Sequence, residues 1–200
     1  SRFGFRLTYL PVDRYGMVDP DDVGRAISND TVMVSVMMAN NEIGTIEPIA
    51  EIGRLTHSRG VPFHTDAVQA GGQLQLDVTD LGVDLLSLSG HKFHAPKGVG
   101  VLYIREGTPI LPVQTGGGQE HGLRGGTENV PYIIGLARAL ELAYASIDNR
   151  VAHVRRLRDR LIEQILAEVR DTLLTGHPSL RLANNASFVF EGIDGEALLL

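Results

Sequence analysis

Apolar and polar positions along the first half of the chain follow two alternating rhythms. Short β-branched runs bounded by turn residues predict strands at "FRLTYLPV" (5–12), "TVMVSVMMA" (31–39), "VPFHTDAV" (61–68) and "VDLLSLS" (83–89). Between them, "DPDDVGRAIS" and "PIAEIGRLTHSRG" carry apolar residues at helical spacing, and a short helix is expected at 78–81. Asp19 is the expected N-cap of the first helix, with Pro20 at its first position and acids in its first turn. Gly60 is the expected left-handed stop of the second. Strands and helices in this alternation predict parallel crossover units, hence an α/β fold with a mainly parallel sheet and helices on both faces. "GVGVLYIR" (98–105) follows too short a connection for a crossover, so it is expected to run antiparallel to its predecessor.

Past Val130 the pattern changes. "VPYIIGLARALELAYASI" predicts a strongly apolar helix. A longer amphipathic helix then carries Val151, Val154, Leu157, Leu161, Ile165 and Val169 on one stripe. "NASFVFEG" alternates like a half-buried strand, and "DGEALLL" opens a further helix. An opening strand and an unfinished closing helix lead us to expect part of a larger protein.

Composition narrows the class. Apolar residues make up 43% and charged residues 21%, as in ordinary soluble globular proteins. A net charge of −6 argues against nucleic acid or an anionic membrane as the main partner. Arg155, Arg156, Arg158 and Arg160, interrupted by Asp159, are expected to form a solvated helix face. No run approaches the roughly eighteen apolar residues of a membrane-spanning helix. The chain has no cysteine, which excludes disulfides and cysteine-bound metal sites in this stretch. A reducing, cytoplasmic setting is expected.

Chemistry-bearing side chains gather at the C-terminal ends of the predicted parallel strands, where open α/β sheets collect their ligand sites. They are Asn40 and Asn41, then His64 and Asp66, then Ser89, His91 and Lys92. Singly, each has an ordinary role: a bonded core histidine, a helix cap, a solubilising lysine. Together they suit pyridoxal phosphate, because an amine near other cations is a competent nucleophile. A carboxylate keeps a pyridine nitrogen protonated, and hydroxyls with a histidine hold a phosphate. These residues alone leave other readings open. His57, His64, Asp66, His91 and His94 could serve a metal hydrolase. Ser89-x-x-Lys92 could serve a serine acyl-transferase, though its partner motifs are absent. A non-catalytic module is the third alternative.

"HTDAVQ", "SLSGHKFHAPKGVGVLYIR" and "GGGQEHGLRGGTENVP" occur in this order at compatible spacings. In these blocks the sequence resembles the cysteine desulfurase family, a class V aminotransferase branch of the pyridoxal-phosphate enzymes of fold type I, from about Tyr9 to Leu200. The resemblance implies that residues 1–144 belong to the cofactor-binding large domain and that residues 145–200 start a small α+β C-terminal domain. It implies that Lys92 condenses with the cofactor aldehyde and moves the proton at the substrate α-carbon. Asp66 would meet the pyridine nitrogen, Gln69 the ring hydroxyl oxygen, and Asn41 that oxygen and the substrate carboxylate. Ser89 and His91 would bind the phosphate, and Thr127 the phosphate of a neighbouring subunit's cofactor, which makes a homodimer part of the site. His64 would line the pocket wall. The implied reaction converts L-cysteine to L-alanine, with sulfur passed to an enzyme cysteine beyond this stretch and then to an acceptor protein, as in iron–sulfur cluster biogenesis. Selenocysteine lyase is the nearest alternative. The family's N-terminal phosphate loop, ring-stacking histidine, persulfide cysteine and substrate-carboxylate arginine have no counterpart here, so these residues alone are expected to be catalytically incomplete.

Overall fold

The computed structural model describes residues 4–199. Helix α1 (Pro20–Ala26) leads to strand β1 (Val34–Met37), helix α2 (Ile49–Ser58) and strand β2 (Phe63–Asp66). Helix α3 (Val78–Leu81), strand β3 (Leu85–Ser89), a 3₁₀ turn at Gly90–Phe93 and strand β4 (Gly100–Ile104) follow. The four strands form one sheet in the order β1-β2-β3-β4. β1, β2 and β3 are parallel and β4 is antiparallel to β3, as the connection lengths predict. Asp19 caps α1 by accepting the Asp21 N–H, and Gly60 takes the left-handed turn after α2 at φ +66°.

Alternation along the strands sorts the sheet into two unlike faces. Val36, Phe63 and Leu86 point into a core completed by Val23 of α1 and by Ile49 and Ile52 of α2. On the other face, Ser35, Met37 and Asp66 are exposed. Helices thus cover the apolar face, and the second cover predicted by the crossover rhythm is not supplied by residues 4–199. Close packing on the covered side depends on Gly53 in α2. A Cβ there would lie 2.2 Å from the Leu81 carbonyl oxygen at the end of α3, so a backbone would have to move. Gly53→Ala in the whole protein is expected to cost about 3 kcal/mol, read as a lowered midpoint in denaturant unfolding.

The C-terminal part comprises α4 (Val130–Ala145), α5 (Ile147–Glu168) and the two-stranded antiparallel sheet of β5 (Thr172–Leu174) and β6 (Phe188–Phe190). α4 and α5 meet at Ser146 with an angle of 69°. No single helix among the described residues is long and apolar enough to cross a membrane.

Four expectations need correction. Residues 5–12 form no strand, because no neighbouring chain segment among the described residues takes up their backbone hydrogen bonds. Residues 194–199 form turns closed by Ala197 N–H to Asp194 and Leu199 N–H to Glu196, with no helix, and Leu200 lies outside the described residues. The apolar stripe of α5 is largely open, with Leu157 and Leu161 about half exposed. The fourth is Arg158, expected in a solvated basic face and in fact buried. Its Nη1 donates to the carbonyls of Arg181 and Leu182, and Asp159 pairs with its charge at 2.6 Å. One nitrogen with two hydrogens thus serves two neighbouring carbonyls. β5 was not legible as a strand, since three residues carry too little pattern.

Candidate active site

The site begins with the ends of β1, β2 and β3. Pairing of Asp66 with Ser87, together with strand alternation, puts Asp66, Ser87 and Ser89 on the exposed face of the sheet. The Met38 N–H donates to the Asp66 carbonyl at 2.8 Å, which fixes the exit of β1 beside the same point. Three strand ends therefore converge where the polar residues sit.

Asp66 is the last residue of β2 and is exposed. Its Oδ1 accepts the Val68 N–H at 2.9 Å, which turns the chain away from the sheet. Its second oxygen takes no hydrogen bond among the described residues. Beyond β3, the 3₁₀ turn alternates its side chains: Phe93 is 4% exposed and packs against Leu136 of α4, whereas His91 and Lys92 face outward. Burying Phe93 anchors the turn and leaves the lysine free. Lys92 makes no ion pair or hydrogen bond among the described residues. Ser89 Oγ and His91 Nδ1 lie 2.8 Å apart, a hydroxyl and an imidazole side by side at the strand end.

The two asparagines separate. Asn40 holds its own turn, its Oδ1 accepting the N–H groups of Glu42 and Ile43. Asn41, next along, is exposed at the tip of that turn, and its side chain makes no hydrogen bond among the described residues. Gln69 is half-buried in the turn after β2. Thr127 is exposed in the segment before α4, some distance along the chain from the strand ends, and no hydrogen bond among the described residues links it to them. The glycine-rich stretch before it folds on itself: the Gly125 N–H donates to the Gln114 carbonyl, and a Cβ at Gly125 would lie 2.8 Å from the Thr115 oxygen.

Two partners of His64 escaped the sequence. Its Nδ1 lies 2.8 Å from Ser35 Oγ and its Nε2 lies 2.9 Å from Ser87 Oγ, so one ring ties three strands together. Only strand register reveals this row. Burial pushes the imidazole pKa down, and the Asp66 charge offsets part of that effect. The folded chain therefore binds this proton less readily than the unfolded chain. The associated stability is complete above the ordinary imidazole value of about 6.5 and drains as pH falls below it. Melting temperatures of the whole protein between pH 7.5 and 5.5 are expected to fall more steeply than those of His64→Gln. Equal slopes would contradict this.

Among the described residues no three histidine, cysteine, aspartate or glutamate side chains are grouped to hold a metal ion. The donor set fits pyridoxal phosphate. A hydroxyl–imidazole pair suits its phosphate, an accessible carboxylate its pyridine nitrogen, and an exposed amine on the adjoining turn its aldehyde.

Fold and candidate site together define an α/β protein with its polar residues gathered at the carboxyl ends of a largely parallel sheet. The aminotransferase class-V family profile matches residues 1–200, and the chain belongs to that family. It is 56% identical to the cysteine desulfurase IscS of Methanosarcina thermophila over 197 residues, covering 98% of this chain and 48% of the relative. It is 51% identical to the cysteine desulfurase IscS of Dictyoglomus turgidum, covering 100% of this chain and 51% of that one. Among solved structures, a NifS-like protein superposes with a TM-score of 0.93 at 40% identity, covering 98% of this chain and 54% of its own. The structure of SspA in complex with cysteine superposes with a TM-score of 0.68 at 44% identity, covering 70% of this chain and 41% of its own. The chain spans about half the length of the curated relatives it matches.

Proposed function

We propose that the whole protein is a pyridoxal-phosphate-dependent cysteine desulfurase. It would convert L-cysteine to L-alanine while a cysteine thiol outside these residues takes the sulfur as a persulfide. The observation that carries the reading is the exposed Lys92 amine, on an anchored turn directly after the Ser89–His91 pair, at the end of the strand that pairs with the one closed by Asp66. The names of the similar proteins, and the complex of SspA with cysteine, support the choice of substrate.

When bound, the cofactor supplies an electron sink for the negative charge left at the substrate α-carbon. Ser89 and His91 hold its phosphate, and Asp66 keeps its pyridine nitrogen protonated. Gln69 and Asn41 donate to its ring oxygen, and Asn41 also meets the substrate carboxylate. Lys92 holds the cofactor and moves the proton at the α-carbon. Thr127 reaches across to the phosphate of a second subunit's cofactor, so the working unit is a homodimer. Residues 1–144 belong to the cofactor-binding domain and 145–200 to the small domain. An acceptor protein then receives the sulfur in the cytoplasm.

The test is alanine release by the whole protein from L-cysteine and from L-selenocysteine, with added pyridoxal phosphate. Turnover of cysteine is expected. A preference for selenocysteine by orders of magnitude would make it a selenocysteine lyase, and no alanine from either would refute the reaction.

A further inference from the structure

The turn that presents Asn41 is gripped from a distant part of the chain. Three consecutive carbonyls are taken by residues 181–185. Glu42 accepts from Asn185 Nδ2 at 2.9 Å, Ile43 from Arg181 Nη2 at 3.0 Å, and Gly44 from the Leu182 N–H at 2.9 Å. The Ile46 N–H donates back to Leu180, closing an antiparallel bridge between Thr45 and Arg181. Thr45 Oγ1 accepts the His177 N–H and donates to the Tyr15 carbonyl. The fit is tight. A Cβ at Gly44 would lie 2.5 Å from Asn185, and one at Gly176 would lie 2.2 Å from the Ile43 oxygen; both glycines have positive φ.

Arg181 is the centre of this grip. It is 2% exposed, and its Nη2 faces the Ile43 and Thr175 carbonyls and Asn185 Oδ1. Its Nε and Nη1 are buried with no partner among the described residues. A guanidinium buried with two idle nitrogens is a poor device for stability, and apolar side chains of similar volume commonly serve as well or better in such places. What an apolar side chain cannot do is bind a carbonyl on the turn beside Asp66.

We propose that Arg181 and Asn185 are positioning residues of the active site: they set the 41–46 turn, and through it the place of the Asn41 amide. This rests on the reading of Asn41 as a cofactor- and substrate-facing group. It makes substrate binding depend on the segment between β5 and β6.

The experiment uses the whole protein with cofactor, measuring kcat and KM for L-cysteine, cofactor absorbance and the unfolding midpoint. Asn185→Ala removes a half-buried side chain and leaves Arg181 in place. Arg181→Met fills the buried volume without donors. Both are expected to retain the cofactor absorbance and to lose about ten- to a hundredfold in kcat/KM, mainly as a raised KM. Arg181→Lys, whose ammonium has three hydrogens for the same three acceptors, is expected to recover part of the loss. The combination Asn41→Ala with Asn185→Ala should lose no more than Asn41→Ala alone, since both changes act on one amide. Unaltered KM in Asn185→Ala, or simple additivity in the double variant, overturns the positioning role and leaves the proposed reaction standing. Failure of the unaltered protein to release alanine overturns both.

Discussion

Lys92→Ala in the whole protein is expected to abolish the visible absorbance that pyridoxal phosphate acquires when joined to a protein amine, and to lower alanine release from L-cysteine by about a thousandfold or more. The size of the effect follows from the two tasks proposed for one amine, holding the cofactor and moving a proton at the substrate. Neither neighbour can substitute. His91 is bonded to Ser89, and Lys97 lies further along the turn that leads into β4. The change should hardly affect folding, because Lys92 is exposed and partnerless among the described residues, and such surface substitutions usually fall within about 0.5 kcal/mol. Loss of activity with an unchanged unfolding midpoint therefore separates chemistry from stability. Retained turnover would contradict the assignment.

The second large effect belongs to Asp66→Asn. Asparagine keeps the oxygen that accepts the Val68 N–H, so the turn after β2 is retained and only the charge is removed. Without that charge the pyridine nitrogen loses the anion that favours its protonated form. We expect a loss of about a hundred- to a thousandfold in kcat, in the range found when one electrostatic stabiliser is removed from an active site. Cofactor uptake should persist, since Lys92 is intact. Steady-state kinetics with parallel absorbance spectra would check this, and a variant with nearly full kcat would show that the carboxylate has another task.

Most of the central architecture was legible because its elements obey simple periodicities. β1 to β3, the antiparallel return of β4, the Asp19 cap and the Gly60 stop each depend on neighbours within a few residues. The places of Asp66, Ser89, His91 and Lys92 at or just past the ends of neighbouring strands were legible for the same reason. The failures share a different cause. A strand at 5–12 and a helix at 194–200 have suitable local sequence, yet a strand exists only through its neighbours and a short helix only through packing. Arg158 looked like a surface arginine because burial of a guanidinium depends on carbonyls brought from elsewhere in the chain. Ser35 and Ser87 were invisible as partners of His64 until strand register set them beside it. The grip of residues 181–185 on the 41–46 turn spans about 140 residues of sequence, and no local pattern encodes it.

This chain contains two lysines, Lys92 and Lys97, which makes one measurement decisive. The whole protein is loaded with pyridoxal phosphate, reduced with borohydride to make the attachment permanent, digested and mapped by mass spectrometry. The cofactor mass is expected on the peptide that carries Lys92, at that residue. Attachment at Lys97, at a lysine elsewhere in the whole protein, or nowhere would contradict the assignment.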